Sequence, residues 1–454
     1  MAELSQYRRR SVSTRTIVAT ETTNIEYGED RDTGELVSDS AGYGEPPPPA
    51  DRGKDAYLFL TACFILEALV WGLPFTYGVF QDYYSTHEPF KGSSNIATVG
   101  TCALGVLYLD LPLIFAILQA NQNYLRVACS FGVVLMAVSL VISSFATNVA
   151  TLIGAQGILY GLGGSISYST CLLLIDEWYV QRKGFAFGIM LAGTGCGGTI
   201  IPVITQQLLN RFGYQTTLRA FAVAIVILAG PFVYCMRPRL PPTSRSLKNR
   251  INIKFMTTST FMLLQLCNTI QGLGFFLPSI YLPSYAASIG ASPSVGSLSV
   301  LLYNIASTIG CVLMGAIIDK YDVTTCSFLS TVGSTIGVFV IWGFSTSLTP
   351  LFIFAVEYGI FAGSWVATWP GIVRAVTQKT NSADPSTVLA WIATGRGLGN
   401  VISGPLSEAL LQGSPWKGQA QYGYGSGYGT VIVFTGITAL LSGASFVGRR
   451  VGWI

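Results

Sequence analysis

The sequence predicts an all-α protein that crosses a membrane many times. Three observations carry this. Half of its 454 residues are hydrophobic and only 11% are charged. Apolar stretches of membrane-spanning length recur along it. Lys and Arg crowd the loops on one side of those stretches.

A soluble domain carries roughly 25% charged residues. A chain with a mean hydropathy of +0.52 cannot bury its apolar surface in a water-soluble core. It needs an apolar solvent, which is lipid. The acids are unevenly placed: 11 of the 22 precede Ala56. Residues 1–55 are polar, hold the run Pro46 to Pro49, and read as a disordered cytoplasmic tail. Arg8 to Arg10 in that tail read as a solvated run, so nucleic acid is not an expected partner. No cleavable signal precedes the first apolar stretch, so insertion must start from an internal span.

Twelve stretches are about 20 residues long, enough to cross ~30 Å of hydrocarbon as helices. Six cover 56–80, 96–120, 127–145, 149–174, 185–209 and 220–236. Six more cover 257–287, 294–318, 324–344, 351–373, 387–411 and 429–447. The basic, proline-containing stretch 237–254 separates the two sets. This division predicts two related halves, 56–236 and 255–454, joined by a cytoplasmic linker.

Loop charge sets the expected orientation. With the tail inside, the inner loops hold Arg126, Arg182, Lys183, six bases from Arg237 to Lys254, Lys320, Arg374, Lys379, Arg449 and Arg450. The outer loops hold only Lys91, Arg211, Arg219 and Lys417. Both termini are therefore expected in the cytoplasm, most naturally at the plasma membrane.

Several function classes are disfavoured. The nine cysteines sit mostly in apolar runs without metal spacing, and His87 is the only histidine. No metal, cofactor or catalytic cluster is expected, so the chain does not read as an enzyme. A nucleotide-driven pump would need a phosphate-binding loop of the GxxxxGK[ST] kind, which is missing.

Charges inside spans mark function, because each costs at least ~2.5–3.5 kcal/mol at the bilayer centre. Four lie away from the span ends: Glu67, Asp110, Glu357 and Arg396. Arg396 is the only mid-span base and matches a carboxylate bidentately. It is the expected counter-ion of an anionic solute, or else a partner of Glu67 or Glu357. Glu67 and Asp110 can carry protons, since burial and a nearby arginine push a carboxyl in opposite directions. Gln265, Asn268, Gln271, Asn304 and Asn400 can line the same cavity or bond neighbouring helices. Two Gly/Pro breaks, at Trp71 to Pro74 and at Gln271 to Pro278, occupy equivalent places in the two halves, the kind of pairing that points to a midplane site.

Several ordered stretches carry a resemblance. They include Glu67 to Gly72, Tyr77 to Phe80, Gln156 to Gly161, Asp176 to Trp178 and Arg182 to Gly184. Further along come Ala192 to Gly195, Arg237 to Pro241, Gly315 to Lys320, Gly395 to Gly397 and Gly404-Pro405. Together they resemble the major facilitator superfamily, and within it the fungal monocarboxylate-transporter-like branch, over residues 55–447. The resemblance implies twelve helices in two six-helix bundles. Spans 1, 4, 7 and 10 would line the cavity, with Tyr160 and Glu357 among the lining, and spans 3, 6, 9 and 12 would face lipid. It also implies a gating motif at Gly315, Asp319 and Lys320. The first-half copy is degenerate, with Ala116 and Ala120 in the glycine and aspartate places and only Arg126 kept. Span 8 lacks the aspartate–arginine pair of animal monocarboxylate carriers, and the opening before span 1 is altered to Lys54-Asp55-Ala56-Tyr57. A proton–lactate mechanism is therefore not carried over.

The expected function is secondary active transport of a small organic solute, a monocarboxylate or related anion, by alternating access with optional proton coupling. The alternatives are efflux of a fungal secondary metabolite and a non-transporting nutrient sensor. A sensor calls for a long signalling domain, which a 55-residue tail does not supply.

Overall fold

The computed structural model describes residues 48–93, 95–240, 253–380, 382–413 and 416–453. The expected tail up to residue 47 and linker residues 241–252 lie outside the described residues. From Pro47 on, the chain forms a single unit. No strand occurs among the described residues.

The helices are α1 (Lys54–Thr86), a bent pair α2 (Ile96–Leu109) and α3 (Leu111–Ala120), α4 (Gln122–Ser143), α5 (Val149–Trp178) and α6 (Lys183–Val233). Then come α7 (Ser259–Ser288), α8 (Pro293–Ile318), α9 (Val323–Trp342), α10 (Leu348–Lys379), α11 (Pro385–Leu411) and α12 (Gly429–Val451). Nine helices among the described residues are long and apolar enough to cross a membrane. One of these, α6, covers two expected spans and turns at Gly213, whose φ of 71° suits glycine. The α2–α3 pair, bent by 43°, makes another span. Glycine-rich α11 occupies the remaining place. All twelve expected spans are thus helical.

The first segment of α6 is the central strut. It packs against α1 on one side and α8 on the other. Added side-chain carbons at Gly193 and Gly197 would strike the α1 backbone at Phe64 and Ala68, so these glycines permit the contact. On the outside, α4, late α6, α9 and α12 expose Phe131, Ile227, Val340 and Leu440, apolar surface that hydrocarbon can cover.

Prolines shape the interior. Each proline within a helix leaves a carbonyl four residues earlier without its usual N–H. Four such carbonyls recruit a neighbour. Pro74 frees Val70, and the Tyr160 hydroxyl donates to Leu69 O at 2.9 Å with Val70 O at 3.4 Å. Pro112 frees Tyr108, whose carbonyl accepts from Thr394 Oγ1 at 3.3 Å. Pro202 frees Gly198, which accepts from Asn304 Nδ2 at 3.0 Å. Pro278 frees Gly274, which accepts from the Tyr358 hydroxyl at 3.5 Å.

This corrects the expected pair of breaks. In the first span α1 runs unbroken through Trp71 to Pro74, with Tyr160 serving the gap. The break falls instead in the second span, at Asp110 ahead of Pro112. The seventh span does break, at Phe276, where Pro278 starts the second helical piece.

Candidate functional site

Arg396 sits at the middle of α11, between Gly395, Gly397 and Gly399. Each glycine clears a neighbour that a side chain would strike: Gln265, Tyr108 and the α7 backbone at Thr269 respectively. The arginine is thereby drawn into the centre of the molecule. It is 1% exposed, so neither end of the protein opens to it. Its Nη1 donates to Gln271 Oε1, and its guanidinium lies 4.5 Å from the centre of the Phe275 ring. Gln271 and Phe275 are four residues apart and share one face of α7. A charged hydrogen bond of ~1.5–3 kcal/mol and a desolvated cation–π contact of about 2 kcal/mol offset part of the burial cost. Nη2 has no hydrogen-bond partner among the described residues.

Tyr108 of α2, Tyr303 of α8 and Tyr358 of α10 surround the guanidinium. Beyond Tyr108 stands Glu67 on α1, 2% exposed, whose Oε1 accepts from Thr194 Oγ1 at 3.1 Å. One turn along, the Trp71 indole N–H is aimed at the same carboxylate without reaching hydrogen-bond geometry, so the two groups face each other. Trp71 packs on Tyr108 and Tyr168, with ring centres 4.7 and 5.5 Å apart. Neither Glu67 nor Glu357 pairs with Arg396 among the described residues. The arginine is therefore a buried cation without a protein anion.

The other expected site residues have different surroundings. Asn268 donates to Ile392 O at 2.8 Å and accepts from the indoles of Trp365 and Trp369 at 3.3 and 3.1 Å. That uses its side chain to join α7, α10 and α11. Asn304 and Tyr160 serve the proline-freed carbonyls. Gln271 does touch Arg396, and its Nε2 donates to Ala362 O at 3.3 Å. Glu357 lies against Gly337 of α9, outside the arginine group. Asp110 sits at the α2–α3 bend and accepts from Ser165 Oγ at 2.7 Å.

Two seams join the first six spans to the last six, and both are latched at the same end. In one, Gly315 of α8 meets Gly184 and Gly188 of α6 backbone to backbone. Asp319 then accepts from Gly184 N at 2.7 Å and Phe185 N at 2.9 Å, satisfying free amides at the start of α6. Lys320 is exposed; it is Arg374 whose Nη2 donates to Ile318 O, at 2.8 Å, and covers the end of α8. In the other seam, Gln119 of α3 donates to Asp384 Oδ2 at 2.8 Å, and Asp384 caps α11 by accepting from Thr387 N at 2.8 Å. The first-half motif lacks its aspartate, yet the second seam still has a carboxylate, carried by α11.

Sequence reasoning missed Tyr108, Tyr303 and Tyr358, because an aromatic in an apolar run reads as packing. Trp71 was open to a positional argument, since it lies one helical turn from Glu67, as the expected Asn400 lies one turn from Arg396.

Residues 92–403 match the Major Facilitator Superfamily. The chain is 26% identical over 431 residues to the agnestins efflux protein of Paecilomyces divaricatus, covering 92% of each. It is 26% identical over 414 residues to the aspyridones efflux protein of Emericella nidulans, covering 89% of this chain and 80% of that one. An MFS transporter of Aspergillus flavus is 23% identical over 406 residues, covering 89% of this chain and 88% of its own length.

Proposed function

From the premise that this multi-pass membrane chain belongs to the Major Facilitator Superfamily and has its fold, we propose that it exports a small organic anion of secondary metabolism by alternating access. The observation that carries this is Arg396: buried, held by a neutral glutamine and an aromatic ring, without a protein anion, and with one nitrogen unbound. A solute carboxylate or enolate is the counter-ion such a group takes. Two relatives that are efflux proteins favour export over monocarboxylate uptake. Residues 56–236 and 255–454 would move as the two bodies that part along the α6–α8 and α3–α11 seams. Both termini would be cytoplasmic, in the plasma membrane, as loop charge favours. Glu67, beside the arginine group, is the candidate proton carrier in either direction of transport.

The test is flux in vesicles. Labelled short-chain and aromatic carboxylates are offered with and without a pH gradient, to wild type and Arg396→Gln. Arg396→Gln should insert normally and lose at least about tenfold in flux, the loss of one charged hydrogen bond. Unchanged flux removes Arg396 from the site. Flux indifferent to the gradient removes the proton role of Glu67.

A further inference from the structure

Buried polar atoms without partners are ordinarily few and scattered. Sixteen such side-chain atoms occur among the described residues, and six of them belong to five side chains around Arg396. They are Glu67 Oε2, Trp71 Nε1, Tyr303 Oη, Arg396 Nη2, and Asn400 Nδ2 and Oδ1. All five side chains are more than nine-tenths buried. The contacts above place them together. Trp71 faces Glu67 and stacks on Tyr108, Tyr108 and Tyr303 flank the guanidinium, and Asn400 stands one turn from Arg396 against Gly272.

Tyr303 Oη, Arg396 Nη2 and Asn400 Nδ2 are unbonded donors, and Trp71 Nε1 is a fourth that is aimed at Glu67. The Tyr303 hydroxyl, Glu67 Oε2 and Asn400 Oδ1 are the unbonded acceptors. Protonation of Glu67 would add a donor. The walls are aromatic on both sides. Trp71, Tyr108 and Tyr168 form one group. In the other, the Phe275 and Tyr303 ring centres are 6.5 Å apart, and Tyr303 stacks on Tyr358 at 6.1 Å. Resting on the reading of Arg396 as an anion site, we propose that the solute is a planar, conjugated monoanion carrying additional oxygen acceptors. Trp71, Tyr303 and Asn400 select it over short aliphatic acids. A single arginine matches a single negative charge, a flat ring is the shape that opposed aromatic groups take up once the bundles part, and hydroxyl or keto oxygens use the unbonded donors. A cationic solute would find its only anionic partner in Glu67 and would face Arg396.

The test uses the full chain in nanodiscs and measures binding by quenching of tryptophan fluorescence. The probes are 1-hydroxy-2-naphthoate, 2-naphthoate, cyclohexanecarboxylate and naphthylmethylammonium. The hydroxylated naphthoate should bind at least about tenfold more tightly than cyclohexanecarboxylate, and the ammonium should not bind. Tyr303→Phe keeps the ring and removes one donor. It should erase most of the advantage of 1-hydroxy-2-naphthoate over 2-naphthoate and leave 2-naphthoate unchanged. Equal binding of the aliphatic and aromatic acids, binding of the ammonium, or a Tyr303→Phe effect identical for both naphthoates overturns the proposed solute class. If Arg396→Gln still abolishes acid binding in those cases, the anion-site reading survives alone. If no acid binds, or Arg396→Gln changes nothing, that reading falls as well.

Discussion

The two seams use the same parts in different order. At the α6–α8 seam the carboxylate belongs to the helix that ends there, and Asp319 reaches across to the start of α6. At the α3–α11 seam it belongs to the helix that begins there. Asp384 caps its own helix, and the ending helix contributes only Gln119. The close approaches differ too. Gly188 and Gly315 touch backbone on both sides, whereas Gly397 of α11 faces the side chain of Tyr108. Even the proline repairs pair up. Asn304 of α8 serves the Gly198 carbonyl of α6, and Thr394 of α11 serves the Tyr108 carbonyl of α2. Both seams cross by an amide donating to a carboxylate, but in one the amides are rigid backbone at the start of α6 and in the other the amide is the movable side chain of Gln119. The first should hold closure more tightly.

The largest effect is expected from Gly315→Leu. Backbone cannot yield as a side chain can, so the wedge should cost at least ~1–3 kcal/mol and shift the population toward the open seam by about ten- to a hundredfold. Hydrogen exchange at the start of α6 should rise to match. Gly397→Leu should do much less, because Tyr108 can turn; equal effects would erase the distinction drawn here.

Asp319→Asn comes next. It weakens two charge-assisted bonds of ~1.5–3 kcal/mol each. Exchange of the Gly184 and Phe185 amides should accelerate at least tenfold, while the Thr387 amide stays protected. Acceleration at both places would mean that the seams open as one.

Gln119→Leu removes a bond across the second seam but leaves the Asp384 cap intact. Protection of the Thr387 amide should fall by roughly tenfold, the low end for one hydrogen bond to a carboxylate (~1.5–3 kcal/mol). A larger fall would make Gln119 a stronger latch than Asp319.

The smallest effect concerns pH. Burial alone would raise the Asp51 carboxyl, but the amides of Arg182, Gln181 and Val180, with the Arg182 charge, outweigh it and hold the group below its ordinary value of 3.8. A group depressed in the folded state stabilises above its unfolded pKa and loses that contribution as pH falls through the folded one. Between pH 7 and 5 the brace before α6 should therefore be constant, and Asp51→Asn should raise exchange of the Val180 to Arg182 amides modestly. A change over that range in wild type would contradict the assignment.

Much of the architecture could be read without coordinates. The apolar stretches and loop charge predicted the helices, because lipid leaves few alternatives to a helix of about twenty residues. Arg396 stood out for the same reason: an arginine in mid-span needs an explanation. The stretch from Gly315 to Lys320 was visible too, though Arg374, distant in sequence, covers the helix end next to Lys320. What could not be read was the use of each polar side chain. Tyr160 and Tyr303 are both tyrosines in apolar runs. One donates at 2.9 Å to Leu69 O, next to the Val70 carbonyl that Pro74 released, and the other has an unbonded hydroxyl beside a buried cation.

The sequence by itself therefore determined that this chain spans a membrane as helices and carries one costly cation among them. Those properties depend on composition along a single segment. The tertiary structure alone decided that Asn268, Asn304 and Tyr160 bond neighbouring helices while Trp71, Tyr303 and Asn400 keep unbonded groups near Arg396. The physical reason is that a hydrogen bond is a property of two groups, and the partners here come from segments far apart in the chain.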